Sequence, residues 1–204
     1  MLPGGARVVA LTFDAGGSDK GLTSILNTLA QEKATASFFL TGRFALAFPQ
    51  QSRTIARGYP VGNHTQTHPD LTRLTAAAVR SELRTAATNI RAVTGVDPRP
   101  YFRFPFGARD AATIGLVNAE CYVPFRWTVD TLGWKGTSGG MTADKVYQRA
   151  IDGLRPGAVV LMHVGANPDD GSTLDADALR RIIQRIRAEG YTLVTLEATL
   201  PAAP

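Results

Sequence analysis

Arg7-Val8-Val9-Ala10-Leu11-Thr12-Phe13-Asp14, followed at once by Ala15-Gly16-Gly17-Ser18-Asp19-Lys20-Gly21, decides how the chain is read. The first seven residues are mostly apolar and rich in β-formers, the pattern of a buried strand, and the strand ends at Asp14. A glycine-containing loop then leads into Leu22 to Glu32, where Leu22, Ile25, Leu26 and Leu29 recur at helical spacing. Strand, loop and helix in that order are one unit of a parallel α/β fold.

The unit repeats along the chain. Ala36 to Leu40 reads as a second strand, Ala45 to Arg57 as helical pieces broken at Pro49, and Tyr59 to Asn63 as a third strand. A long helix is predicted from Thr75, a good N-cap with Leu74 and Val79 placed for a hydrophobic staple, to Thr94-Gly95. Asp97-Pro98-Arg99-Pro100 breaks the chain before a short strand at Tyr101 to Phe104. Ala111 to Ala119 is predicted helical, Tyr122 to Asp130 holds one or two short strands, and Thr142 caps the next helix. Ala158 to Met162 is an apolar strand ending at His163. A polar loop runs to Asp177, a helix covers Ala178 to Glu189, and Tyr191 to Leu196 closes the series.

The 204 residues, 44% hydrophobic and 19% charged, suit one globular domain spanning 1–204. The expected fold class is α/β, a distorted (β/α) barrel of about seven strands, with a doubly wound open sheet as the alternative. No run approaches eighteen apolar residues, and Met1-Leu2-Pro3-Gly4-Gly5 lacks the basic and apolar regions of a signal peptide. The chain as given therefore reads as soluble, and removal of a targeting segment stays open. One cysteine, Cys121, excludes an internal disulfide and a cysteine metal framework. The net charge of +5 suits an anionic partner such as a cell-wall polymer. The basic residues are nevertheless arginines spread along helices, without aromatic interleaving, so a nucleic-acid partner is not expected.

His64 and His68, two of the three histidines, stand four residues apart in Gly62-Asn63-His64-Thr65-Gln66-Thr67-His68-Pro69. In a helical turn, or a tight turn that mimics one, both imidazoles project to one side and can converge on a metal ion. A plain polar loop is the other reading. A catalytic zinc usually has three protein ligands and an open position, so a carboxylate is wanted as well. Asp14, His64, His68, Arg103, Asp130 and His163 all follow different strands, the arrangement expected when the loops at one mouth of a barrel build a site.

Thr12-Phe13-Asp14-Ala15-Gly16, His64-Thr65-Gln66-Thr67-His68, Arg103-Phe104-Pro105-Phe106-Gly107, Asp130-Thr131-Leu132-Gly133-Trp134 and Leu161-Met162-His163 occur in that order over nearly the whole chain. In this the sequence resembles the polysaccharide deacetylases, the carbohydrate esterase family with the NodB-homology domain. The resemblance implies Asp14 as general base, His64 and His68 as metal ligands, Arg103 as the group that orients the base, and His163 as the acid, with Asp130 tuning it. It also implies substrate contacts at Phe106 and Gly107, where the Phe106 N–H would serve the oxyanion, and an apolar acetyl pocket at Trp134 and Leu161. The cofactor is a divalent metal, with zinc expected. The substrate would be an acetylated polysaccharide of peptidoglycan or chitin type. An O-acetyl esterase acting on acetylxylan, or a catalytically silent barrel that binds glycan or metal, are the alternatives. A monomer is expected, acting extracellularly or at the cell wall, with no membrane span.

Three departures matter. Ala15 stands where the family usually has a metal-binding Asp, Gly133 replaces the second Asp of the fourth motif, and Val164-Gly165 rather than Asp follows the last histidine. Asp19 is the first candidate for the missing ligand, because Gly16 and Gly17 could let its loop fold back toward the histidines. Its plainer role is an N-cap for the next helix. Asp14 itself, or the acids from Asp169 to Asp177, are the other candidates.

Overall fold

The computed structural model describes residues 6–199, so the Met1–Gly5 start lies outside the described residues. In chain order the elements are β1 (Val8–Ala15), α1 (Leu22–Gln31), β2 (Ser37–Leu40), α2 (Gly42–Ala47), α3 (Pro49–Gly58), β3 (Val61–Asn63) and α4 (Ala76–Thr94). There follow β4 (Tyr101–Phe102), α5 (Ala111–Ala119), β5 (Val123–Pro124), β6 (Val129–Asp130), α6 (Ala143–Asp152), β7 (Ala158–His163), α7 (Leu174–Ala188) and β8 (Thr192–Leu193). Helices follow most of the strands, as the sequence predicts, and the described residues hold eight strands, several of only two residues.

The chain forms two compact units that are interleaved in sequence rather than joined by a linker. Of the described residues, one holds 6–14, 18–37 and 127–199; the other holds 15–17 and 38–126.

In the first unit β1 pairs in parallel with β7 and with β8, and β6 pairs in parallel with β7. Strands so arranged are covered by helices and read as continuous apolar runs. Accordingly Val9 to Phe13 and Ala158 to Met162 are buried throughout. α7 packs on α1 and α6, burying Leu179, Ile182, Ile183 and Ile186 on one face. Register places Asp14 opposite His163 at the C-terminal ends of β1 and β7.

In the second unit β2, β3, β4 and β5 pair in parallel in that order. α4 starts where its cap predicts, since the Thr75 hydroxyl accepts from Ala78 N, and it ends at Gly95 in the left-handed conformation with φ +78°. Its Val79 and Leu83 join Leu71, Phe102, Phe104, Val117 and Tyr122 in one apolar cluster. Gly62 in β3 is required for space: a Cβ there would lie 2.7 Å from the Phe39 ring and 2.8 Å from Tyr101 Cβ.

Candidate active site

The histidine loop belongs to the second unit. It is not a helical turn. Thr65 and His68 both take positive φ, +68° and +65°, which is unusual for any side chain and more so for a β-branched one. The sequence supplies the restraints that hold it. Asn63 Oδ1 accepts from Thr65 N at 2.8 Å, while Asn63 Nδ2 donates to the Leu83 carbonyl and to Tyr122 Oη. The carboxylate of Glu82, on α4, accepts from Gln66 N, Thr67 N and Thr67 Oγ1 at 2.8 to 2.9 Å. Thr65 Oγ1 accepts from His68 N at 3.0 Å. Burial pushes the Tyr122 hydroxyl up to about 12, against the opposing effect of the Asn63 hydrogen bond.

This turn brings the two imidazoles together as the spacing suggested, with ring centroids 4.7 Å apart and edge to face. His68 also meets the Phe106 ring edge-on at 4.6 Å. His64 is buried, and its Nδ1 lies 2.9 Å from the Arg103 carbonyl oxygen. A carbonyl only accepts, so Nδ1 carries the proton and Nε2 keeps a lone pair, the state of a metal-binding histidine whose other nitrogen is anchored. The pair therefore fits two positions of a metal site. Among the described residues, however, no group of three or more His, Cys, Asp or Glu side chains is placed to hold a metal ion.

Asp19, the expected third ligand, belongs to the first unit. Asp19 is half-buried and its carbonyl accepts from Leu22 N, while Gly21 rather than Asp19 stands at the N-cap of α1. Gly16 and Gly17 leave open space beside the backbone, since a Cβ on either would meet nothing within 4 Å. Ala15 is fully buried at the end of β1. Of the later acids, Asp170 is engaged elsewhere. Its carboxylate accepts from Ser138 N, Ser172 N and Thr137 Oγ1, and the backbone hydrogen bond from Ser138, first among these contacts, holds it well below the usual carboxylate range.

Arg103 is fully buried, with its guanidinium 4.2 Å above the Phe39 ring and its Nε donating to the Phe125 carbonyl. Phe106 is 69% exposed and sits at φ +57°, and Gly107 follows at φ +69°. A cavity of about 440 Å³ in the same unit is lined by Gly16, Gly17, Thr41, Arg43, Phe48 and His68, among others.

The first unit holds the remaining residues. Asp14 is 7% exposed and His163 faces it across the strand register. Burial alone would lower the His163 pKa, but the carboxylates of Asp175, Asp14 and Asp130 outweigh it and the net shift is upward. Asp130 is half-buried, its Oδ1 accepting from Leu132 N and its carbonyl from Arg149 Nε. Leu161 is 3% exposed, within the strand core, whereas Trp134 is 47% exposed. Asp175 places Oδ2 3.7 Å from His163 Nδ1; the sequence offered it, with the acids from Asp169 to Asp177, as a candidate metal ligand, and its place beside His163 was missed. Glu82 and Asn63 were likewise missed. All three carry polar groups that anchor a turn or a strand end, and only Asn63 adjoins a motif.

The family model for polysaccharide deacetylase matches residues 2–122, more than half of the chain. The chain belongs to the polysaccharide deacetylase family. A peptidoglycan-N-acetylglucosamine deacetylase of Bacillus cereus is 32% identical over 189 residues, which cover 92% of this polysaccharide deacetylase chain and 66% of that protein. A chitooligosaccharide deacetylase of Bradyrhizobium is 31% identical, over 95% of this chain and 86% of its own length. Among solved structures, a carbohydrate esterase family 4 pseudoenzyme from Bacillus anthracis is similar at a TM-score of 0.86 and 27% identity, covering 96% of this chain and 66% of that one. A mutant form of that pseudoenzyme, described as having restored enzymatic activity, matches equally well. Among the described residues, no helix is long and apolar enough to cross a membrane.

Proposed function

We propose that this chain is a metal-dependent hydrolase that removes acetyl groups from an N-acetylated polysaccharide of peptidoglycan or chitin type. The observation that supports it most is the pairing of Asp14 with His163 at neighbouring strand ends, a carboxylate able to take a proton beside an imidazole held toward its protonated form. General acid–base hydrolysis asks for that combination.

His64 and His68 would hold a divalent ion, with zinc the ion suited to imidazole ligands. When bound, such an ion polarises an acetyl carbonyl and makes a water more acidic. Asp14 takes a proton from the attacking water at its carboxylate. Arg103 orients that base with its fixed guanidinium fork. The Phe106 N–H receives developing negative charge on the acetyl oxygen. His163 delivers a proton to the amine leaving group. Trp134 and Leu161 offer apolar surface for the acetyl methyl, and Gly107 lets the backbone approach the sugar. The relatives named peptidoglycan and chitooligosaccharide deacetylases support the substrate class, and with it a place of action outside the cell or at the wall.

A second reading is a catalytically silent glycan or metal binder. The departure at Ala15, a side chain that offers no metal ligand at the end of β1, favours it. One experiment separates the two: acetate release from chitin oligomers, peptidoglycan and acetylxylan by zinc-loaded protein, alongside metal content by elemental analysis. Acetate from the N-acetylated glycans, lost on chelation, is expected. Zinc-loaded protein that releases no acetate would replace the hydrolase with the silent binder, and release from acetylxylan alone would make it an O-acetyl esterase.

A further inference from the structure

Asp175 is a buried carboxylate that the proposed reaction does not use. It is the second residue of α7 and only 3% exposed. Its Oδ2 accepts from the His163 backbone N at 2.8 Å, and its Oδ1 accepts from Thr131 Oγ1 at 2.6 Å. Thr131 has a single hydroxyl proton, and its other neighbour, the Leu161 carbonyl, is farther away at 3.0 Å. A buried charge so placed is costly unless its lone pairs are satisfied. Two donors and the first turn of a helix, where negative charge is favoured, satisfy this one.

Gly133 shows what the carboxylate displaces. Its φ lies outside the left-handed region, so its backbone admits any side chain. Yet a Cβ built there would fall 2.4 Å from Asp175 Oδ1, 2.5 Å from Cγ and 2.7 Å from Oδ2. The three atoms nearest that point all belong to the Asp175 carboxylate. Gly133 is therefore a glycine for volume and not for conformation. The fourth motif also lacks its second acid at this position, so a carboxylate is missing from one segment where another segment supplies one.

We propose that Asp175 is the positioning residue of His163, reaching from α7 into the space left by Gly133 to fix the imidazole and stabilise its protonated form. The inference rests on His163 as the proton donor of the proposed reaction. Asp130, expected to tune His163, is turned to its own loop through Leu132 N. His163 Nδ1 is buried and lacks a hydrogen-bond partner at 3.7 Å from Asp175 Oδ2, a gap that a small ring movement closes. A proton on Nδ1 facing the carboxylate leaves Nε2 as the nitrogen that gives up its proton. The ionisable groups facing the ring are Asp14 from β1, Asp130 from β6 and Asp175 from α7, with Arg149 of α6 engaged at the Asp130 carbonyl.

The test is the titration of the His163 ring followed by NMR in substrate-free protein, which keeps it independent of whether the chain releases acetate. Asp175→Asn preserves the shape, since its amide oxygen can still accept from His163 N while Thr131 turns its proton to Leu161. It should move the His163 pKa down by about one unit or more, as loss of an opposite charge at this range does. The Gly133→Asp, Asp175→Gly double variant puts the carboxylate back from the other segment and should return the titration toward that of the parent. Gly133→Asp alone, forcing two carboxylates together, should lose cooperative unfolding or raise the pKa of one acid. An unchanged His163 titration in folded Asp175→Asn overturns the proposal, as does failure of the double variant to restore it. If Asp175→Asn does not fold, the double variant decides alone, because a merely structural Asp175 would leave it unfolded as well.

Discussion

Replacing Glu82 by Ala should loosen the histidine turn without touching either imidazole. The carboxylate accepts three hydrogen bonds from two consecutive residues, Gln66 and Thr67. Bonds to a charged acceptor contribute about 1.5 to 3 kcal/mol each when buried. Here the acceptor is half-buried and Thr67 exposed, so water recovers part of the loss and about 1 kcal/mol per bond is the fairer figure, about 3 in all. Against that stand Thr65 and His68 at positive φ, each costing on the order of 1 kcal/mol or more. Without Glu82 the turn keeps Asn63, the Thr65 hydroxyl and the bonds that the Thr65 and Gln66 carbonyls accept from Gly42 N and Arg43 N, and its closed form should lose about 100-fold in population relative to open forms, since 1.4 kcal/mol is a factor of ten. Amide hydrogen exchange at Gln66 and Thr67 should accelerate by a comparable factor, while the amides of β1 and β7 stay protected. Zinc affinity, measured by competition with a chelator, should fall about tenfold or more. Unchanged exchange at those two amides would refute the assignment of Glu82 as the clamp. Equal acceleration over the whole chain would refute it too, by showing a general loss of stability.

Ala15→Asp should tighten zinc binding at least tenfold by supplying a carboxylate, provided the variant folds despite the burial of position 15, and unchanged affinity would show that the ion does not sit near the end of β1. Thr75→Ala should lower the urea stability by about 1 kcal/mol through loss of the cap on Ala78 N, and no change would mean the first turn of α4 is held by packing alone. Gly62→Ala should cost about 1 to 3 kcal/mol, because the added methyl meets the Phe39 ring and Tyr101 well inside contact distance, and a neutral result would show that this part of β3 can shift.

Much of this was legible before any coordinates. Apolar runs located β1 and β7, and caps at Thr75 and Thr142 located helix starts because a cap is a local interaction between residues three apart. The start of α7 was missed. Asp175 and Asp177 in an acid-rich segment read as loop, whereas acids in a first turn favour a helix. The strand predicted over Tyr101 to Phe104 stops at Phe102, since pairing with β5 lasts only two residues. At the site, the residue types were readable and their supports were not. Glu82 and Asp175 act through contacts that sequence spacing does not record, 15 residues from Thr67 for one and 12 from His163 for the other. That His64 and His68 meet in a tight turn rather than a helical one has a related reason. Two residues at positive φ are stabilised by groups from β3 and α4, not by local propensity.

The interleaving of the two units sets an order on how the protein can be made. Emerging from the ribosome, residues 38–126 contain β2 to β5 and the helices that cover them, so their mutual pairings are available early. β1 is synthesised first, yet Val9 pairs with Ala158 and Leu193. Its apolar run from Val9 to Phe13 must therefore remain without β7 and β8 until almost the whole chain has left the exit tunnel. Pairings so distant in sequence form slowly, and the open edge of an apolar strand is a target for intermolecular pairing while it waits. Yield during expression should thus be limited by the earliest strand rather than by any segment of the candidate site, and slower translation past residue 163 would prolong that exposure.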